Sequence, residues 1–317
     1  MPPTTSNPSF STILTWLFYL VPIYLFLLAP GLRILFPSFS SSPTAQSTGR
    51  KDGANSLEAF GEYFEDYDNL LPGLNTTDDS FISPEDPELL AQLDCRDDDY
   101  RVHIFSRSPL IIYIEDFFTD AEADHLVAVS ESKWSPSSIY DGISERIDPS
   151  IRHSDRALLD RDAVVRCAEE RARSFQGWRP FLYIERMWSQ RYNTSGHYRH
   201  HYDWTGMAAH RGGGDRMSTF MVYLDGNCTG GGTNFPHLRK PGERKKWCRF
   251  IECDDDDGKY QGVTFKPIKG NAIFWENLRA DGSGYPETWH AALPVLSGSK
   301  VGLNIWSWYQ PPVRKAA

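Results

Sequence analysis

The chain of 317 residues could hold one large domain or two small ones, and its 40% hydrophobic and 14% aromatic content suffices for a packed core. Its formal net charge of −9 argues against a nucleic-acid binder, which would present a basic face.

After a short N-terminal tail (1–12), the stretch from Ile13 to Leu32 is almost wholly apolar, and no charged side chain occurs before Arg33. About 20 apolar residues cross a bilayer as a helix, so 13–32 is expected to be an uncleaved transmembrane anchor. Pro22 would kink such a helix, which a membrane tolerates. A positive leading segment and a clear small-residue cleavage site, the marks of a removed signal peptide, are missing. The cations that follow the span (Arg33, Arg50, Lys51) would by themselves hold the body in the cytosol. Sequons at Asn75, Asn193 and Asn227 point the other way, as does the crowding of Cys228, Cys248 and Cys253 in one segment. The five cysteines, with Cys95 and Cys167, permit one or two disulfides with one thiol left over. The expected location is therefore a single-pass protein of the endoplasmic reticulum or Golgi membrane, with its body in the lumen. Asn193 is expected to escape glycosylation because it lies close to the residues singled out below as a pocket.

Residues 33–99 are Ser/Pro-rich and then acidic, with few periodic apolar positions, and read as a stalk. The globular domain is expected over 100–312. Pro109 to Ile114 is a β-branched apolar run that suits a buried strand. Thr119 and Glu122 form a capping box that opens a helix with Ala123, Leu126, Val127 and Ser130 on one face. A second helix is expected over Asp162 to Phe175, with Val164, Cys167, Ala168 and Ala172 inward. Beyond Pro180 the sequence changes to short aromatic and β-branched runs separated by Gly-, Pro- and Asn-rich turns. Helices first and many short strands after them predict an α+β domain with a jelly-roll core.

Chemistry concentrates in Arg191 to Trp204, RYNTSGHYRHHYDW. Alternate residues of a strand share a face, so His201 and Asp203 can point together. With His290 from another strand they would form a two-histidine, one-carboxylate facial triad, which holds Fe(II) and leaves positions open for reactants. An isolated His-x-Asp is a weak signal, and solvent exposure is the ordinary fate of His197, His200 and His201. Context adds to it: Lys300 follows His290 by ten residues and opens a strongly apolar run with Val301, Leu303, Ile305 and Trp306. A lysine placed there implies a buried partner charge.

Taken together, the segments RYNTSGHYRHHYD, STFMVYLD, GGGTNFP, KPIKGNAIFWEN and WHAALPVLSGSKVGLNIW resemble, in order, the catalytic domain of prolyl 4-hydroxylases within the 2-oxoglutarate- and Fe(II)-dependent dioxygenases. The resemblance runs from about Pro109 to Trp308. It implies a double-stranded β-helix with His201, Asp203 and His290 as iron ligands and Lys300 on the distal carboxylate of 2-oxoglutarate. It further implies Tyr192 and Thr219 as cosubstrate-pocket residues, ascorbate as the reductant that rescues oxidised iron, and conversion of 2-oxoglutarate to succinate and CO2. Trp306 falls where the family has a tryptophan near the metal; core packing is its alternative role.

Two regions depart from the family. An insertion at about Leu238 to Gly262 carries Cys248, Cys253 and the acidic run Asp254 to Asp257, read as a solvated loop rather than a calcium site. The peptide-groove segment, Ser135 to Ser154, carries no assignable motif. The expected activity is hydroxylation of peptidyl proline. The alternatives are the same chemistry on a small molecule or biosynthetic peptide, and a fold retained as a binding module without turnover. A zinc hydrolase lacks a general-base pattern such as H-E-x-x-H here.

Overall fold

The computed structural model describes residues 82–83, 92–140, 144–206, 214–253 and 260–310. All belong to the unit Tyr63–Ala317. Two helices precede most of the sheet structure. The first, α1 (Asp120–Ser130), is capped as expected: the Thr119 hydroxyl accepts from the Glu122 amide, and the Glu122 side chain accepts from the Thr119 amide. The second, α2 (Ala163–Phe175), starts from Asp162, whose carboxylate accepts from the Val165 amide.

The strands of the two main sheets, in chain order, are β1 (Arg101–Arg107), β2 (Leu110–Glu115), β3 (Ser135–Pro136), β4 (Arg152–His153), β5 (Asp155–Leu158), β6 (Leu182–Ile184) and β7 (Trp188–Tyr192). There follow β8 (His197–His201), β9 (Asp215–Asp225), β10 (Thr233–Phe235), β11 (Val263–Phe265), β12 (Ala272–Glu276), β13 (His290–Ala292) and β14 (Lys300–Tyr309). A major sheet runs β1-β2-β12-β9-β14-β7-β5-β3, with β6 also paired to β14. A minor sheet runs β11-β10-β13-β8-β4. Their antiparallel, non-sequential order is that of a jelly-roll-like core, as the sequence predicts.

Strand alternation sorts the major sheet's side chains onto two faces. Phe220, Val222 and Leu224 of β9 and Val301, Leu303 and Ile305 of β14 pack under the helices with Leu126, Ala168 and Ala172. On the opposite parity, Met221 and Tyr223 pack with Phe235, Phe265 and Trp275. Lys300 shares the parity of Gly302, Asn304 and Trp306, so the same alternation that buries the apolar residues on one face sends the ammonium into the interior.

Several sequence expectations need correction. In α2 Cys167, Ala168 and Ala172 are buried as expected, but the inward valine is Val165, with Val164 only partly buried. The helix also buries Glu169, Arg171 and Arg173. Arg161 pairs with Glu169 at 2.8 Å, and Arg171 pairs with Glu122 at 2.8 Å and Asp98 at 3.0 Å. The stalk expected over 33–99 is partly built into the domain. Ile82 is buried and bridges to Glu185, the Ser83 hydroxyl donates to Glu169 at 2.6 Å, and Cys95 is bonded to Cys167. These ties are a bridge, a hydrogen bond and a covalent bond, none of which leaves an apolar period in the sequence. Asn193 is exposed in the turn after β7, because the chain leaves the interior directly after Tyr192; Asn227 is exposed too.

Within the insertion, Arg244–Trp247 form one helical turn, Cys248 and Cys253 are disulfide-bonded, and Trp247, Phe250 and Ile251 are buried. Asp254 to Asp257, Asn75 and the apolar stretch Ile13 to Leu32 lie outside the described residues. Among the described residues, no helix is long and apolar enough to cross a membrane.

Candidate functional site

His201 ends β8 and His290 opens β13, and the two are paired across the minor sheet. A register shift between Tyr198 and His201 breaks strict alternation, so these two rings, three residues apart, stack on one side at a centroid distance of 3.7 Å. Asp203 lies beyond the strand end, and a bend rather than strand alternation brings it back to His201. Its Oδ1 is 3.6 Å from His201 Nε2 and 3.9 Å from His290 Nε2. One ligand atom from each of the three residues lies within 4.8 Å of the others.

The surrounding hydrogen bonds aim these atoms. Nδ1 of His201 lies 2.8 Å from the Arg199 carbonyl, and Nδ1 of His290 lies 2.9 Å from that of Thr288. A carbonyl can only accept, so each Nδ1 carries the proton and each neutral ring keeps its Nε2 lone pair for a metal. Burial and the neighbouring His290 push the His201 imidazole down to about 3, which keeps that ring neutral. The Thr219 hydroxyl donates to Asp203 Oδ2 at 2.8 Å and leaves Oδ1 facing the imidazoles. Burial alone would raise the Asp203 carboxyl, but His290, His201, Arg216 and the Thr219 bond together hold it below its ordinary value. Two imidazoles and one carboxylate on one side fit Fe(II).

Deeper in the barrel, Lys300 is completely buried. Its ammonium donates to the Gly231 carbonyl at 2.6 Å and lies 4.8 Å from the centre of the Tyr192 ring. No carboxylate among the described residues pairs with it. Burial pushes it down to about 8. A buried ammonium without a counter-charge is costly, and a dicarboxylate supplies the missing partner. The residues present therefore fit 2-oxoglutarate as well as iron.

His201 and Asp203 open onto a cavity of about 650 Å³ lined by Arg152, Trp188, Gln190, Arg216, Asn304 and Trp306, among others. Arg216 forms a two-pronged pair with Glu185 at 2.7 and 2.8 Å, and its guanidinium lies 3.8 Å from the centre of the Trp306 ring. Arg152 lies over the Tyr198 ring at 4.6 Å. The hairpin Ile139–Tyr140 with Glu145–Arg146 contributes Ile139 and Glu145 to the cavity.

Of the residues expected from sequence, His201, Asp203 and His290 come together; Tyr192 adjoins Lys300, and Trp306 lines the cavity. Thr219 sits against Asp203. Sequence reasoning missed Asn277, whose Nδ2 donates to Thr219 Oγ1 at 2.9 Å, and Trp275, whose Nε1 donates to Asn277 Oδ1 at 2.8 Å. This relay obliges the Thr219 hydroxyl to donate toward Asp203. A polar residue just past an apolar strand, as in AIFWEN, was the only available signal.

Residues 187–308 match the family described as the 2OG-Fe(II) oxygenase superfamily. Over that stretch the chain is similar to members of that superfamily, prolyl 4-hydroxylases among them. It is 28% identical over 213 residues to the probable prolyl 4-hydroxylase 7 of Arabidopsis thaliana, covering 66% of either chain. It is 27% identical over 235 residues to the prolyl 4-hydroxylase subunit alpha-3 of Bos taurus, covering 72% of this chain and 38% of that subunit. The match thus spans about two thirds of the plant relative and well under half of the bovine one. Among solved structures, the viral collagen prolyl hydroxylase of Paramecium Bursaria Chlorella virus-1 in its 2OG complex is 25% identical. That comparison covers 63% of this chain and 96% of the viral chain, with a TM-score of 0.48.

Proposed function

We propose that this protein is an Fe(II)- and 2-oxoglutarate-dependent dioxygenase that 4-hydroxylates peptidyl proline. The observation that carries this reading is the convergence of His201 Nε2, Asp203 Oδ1 and His290 Nε2 in the same barrel as an uncompensated buried Lys300. Iron held there would supply the chemistry by which O2 gives one oxygen atom to 2-oxoglutarate, forming succinate and CO2, and the other to an unactivated C–H bond. The protein's part is to hold and orient. Arg199 and Thr288 carbonyls fix the imidazole tautomers, Thr219 turns Asp203, and Lys300, beside the Tyr192 ring, receives the distal carboxylate. Ascorbate serves to restore iron oxidised in turnovers without substrate.

Peptidyl proline as acceptor is supported by the names of the relatives and by a cavity that reaches the solvent beside the metal ligands. The test is mass spectrometry of a proline-rich peptide incubated with the protein, Fe(II), ascorbate and 2-oxoglutarate. The expected result is a gain of one oxygen on proline, matched by succinate and lost in His201→Ala. Succinate and oxygen gain on small molecules alone would move the acceptor class, and full activity in His201→Ala would overturn the ligand assignment.

The same reading places the enzyme on a membrane of the secretory pathway, held by Ile13 to Leu32 with its catalytic domain in the lumen. The Cys95–Cys167 and Cys248–Cys253 disulfides support an oxidising compartment, and the exposed Asn193 and Asn227 are open to glycosylation. Sensitivity of the intact protein's mobility to endoglycosidase checks it; an unshifted protein, digested by protease on the cytosolic side of sealed vesicles, would reverse the orientation.

A further inference from the structure

Two polar atoms of cavity-lining residues, Trp306 Nε1 and Gln190 Nε2, are buried without a hydrogen-bond partner, and the carboxamide is the one that the sheet leaves room to complete. Gln190 lies in the middle of β7, 3% exposed, and its Nε2 is buried without a hydrogen-bond partner. It lines the same cavity as His201, Asp203 and Trp306, whereas the fully buried Lys300 does not border that cavity. Its orientation is set from one side: the Tyr192 hydroxyl donates to Gln190 Oε1 at 3.3 Å, which turns the amide nitrogen away from Tyr192. Across the strand pair its partner on β14 is Gly302, which brings no side chain to satisfy it. On the other side its partner is Arg156, a donor that cannot accept and that is engaged with Glu145 at 3.2 Å and with the Trp188 ring at 4.6 Å.

A buried carboxamide nitrogen with no acceptor is uncommon in a folded protein, and such a group commonly marks a place where a ligand completes the hydrogen bond. Asn304, two residues along β14 from Gly302 and paired with Trp188, also lines the cavity. Side chains placed diagonally across neighbouring strands are within reach of one another. Two carboxamides side by side offer both donors and acceptors, which is the complement of a peptide bond.

We propose that Gln190 is a substrate-positioning residue: its Nε2 donates to a backbone carbonyl oxygen of the peptide next to the residue being hydroxylated, with Asn304 beside it. This rests on the peptide-hydroxylase reading above. The hydrogen bond holds the reactive C–H at a fixed distance from the metal ligands, and it favours a peptide over an acceptor that lacks a carbonyl at that spacing. The cosubstrate does not need it, because its distal carboxylate is received by Lys300.

The experiment compares the full-length enzyme with Gln190→Leu, Gln190→Glu and Asn304→Ala, using a proline-rich peptide and measuring KM separately for peptide and for 2-oxoglutarate. Calorimetric peptide binding without O2 adds a readout independent of turnover. Gln190→Leu removes the donor and Gln190→Glu keeps the size without donor hydrogens. Both are expected to raise the peptide KM and dissociation constant roughly tenfold, the size of one hydrogen bond to a buried carbonyl, while the KM for 2-oxoglutarate stays within about twofold. Asn304→Ala is expected to weaken the peptide in the same direction. A rise confined to 2-oxoglutarate would assign the amide to the cosubstrate and overturn the proposal, as would wild-type peptide affinity in Gln190→Glu. Wild-type enzyme that leaves the peptide untouched would overturn both this proposal and the reading on which it rests, whereas an active wild-type enzyme whose Gln190 variants keep its peptide affinity overturns only the role of Gln190.

Discussion

The Thr219 hydroxyl sits 2.8 Å from Asp203 Oδ2, and Asn277 Nδ2 sits 2.9 Å behind that hydroxyl. Because the amide nitrogen can only donate to Oγ1, the hydroxyl hydrogen is committed to the carboxylate. The second carboxylate oxygen is then left to face the two imidazoles. A threonine on the central strand β9 thereby controls which oxygen of Asp203 is free for the metal.

Replacing Thr219 with Val removes this control at nearly constant volume. Iron affinity is expected to fall about 10- to 100-fold, the usual cost of losing a group that orients a metal ligand. Competition against a chelator measures it, and Thr219→Ser should recover most of the loss. Unchanged affinity in Thr219→Val would show that Asp203 is held by packing alone.

Lys300 gives a pH dependence with a definite sign. Burial lowers its pKa from 10.5 to about 8. The Lys300 ammonium is present below pH 8 and lost above it, so if it receives the dicarboxylate as proposed the KM for 2-oxoglutarate should climb as pH rises through about 8. Lys300→Met should show a high KM at all pH values and no such climb. The same shift predicts that the protein without cosubstrate gains stability between pH 8 and 10.5, where the unfolded chain binds a proton that the folded one does not. A flat profile across that window would contradict the burial of a free ammonium.

The Cys95–Cys167 bond closes a loop across a sequence separation of 72 residues. In the chain-entropy account its removal by a double Ser substitution costs about 4 kcal/mol of stability. The Cys248–Cys253 bond, with a separation of 5, should cost about half as much. Urea titrations of the two double variants would check the order; equal losses would mean that local packing, not loop closure, dominates.

The Arg216–Glu185 pair is costly to break singly, since Glu185 is only 6% exposed. Arg216→Met should destabilise the fold by about 3–5 kcal/mol by leaving that carboxylate buried and alone, whereas adding Glu185→Leu should return much of the loss. Equal stabilities of the single and double variants would show the pair to be solvated.

Much of this protein follows from sequence periodicity. The capping box at Thr119, the second helix opened by Asp162, and the strand alternation that puts Lys300 on the interior face of an otherwise apolar strand are all legible in the order of residues. Each depends on contacts local in sequence or on strand parity. What only tertiary structure decided depends on distant segments. A bulge, not alternation, aligns Tyr198 with His201; residues before 100 are fastened through Cys95 and Asp98; the Trp275–Asn277–Thr219 relay turns Asp203. Gln190 belongs to this second group. A glutamine in a strand has many possible partners, and only the folded sheets, with Gly302 on one side and Arg156 on the other, leave its amide nitrogen without one.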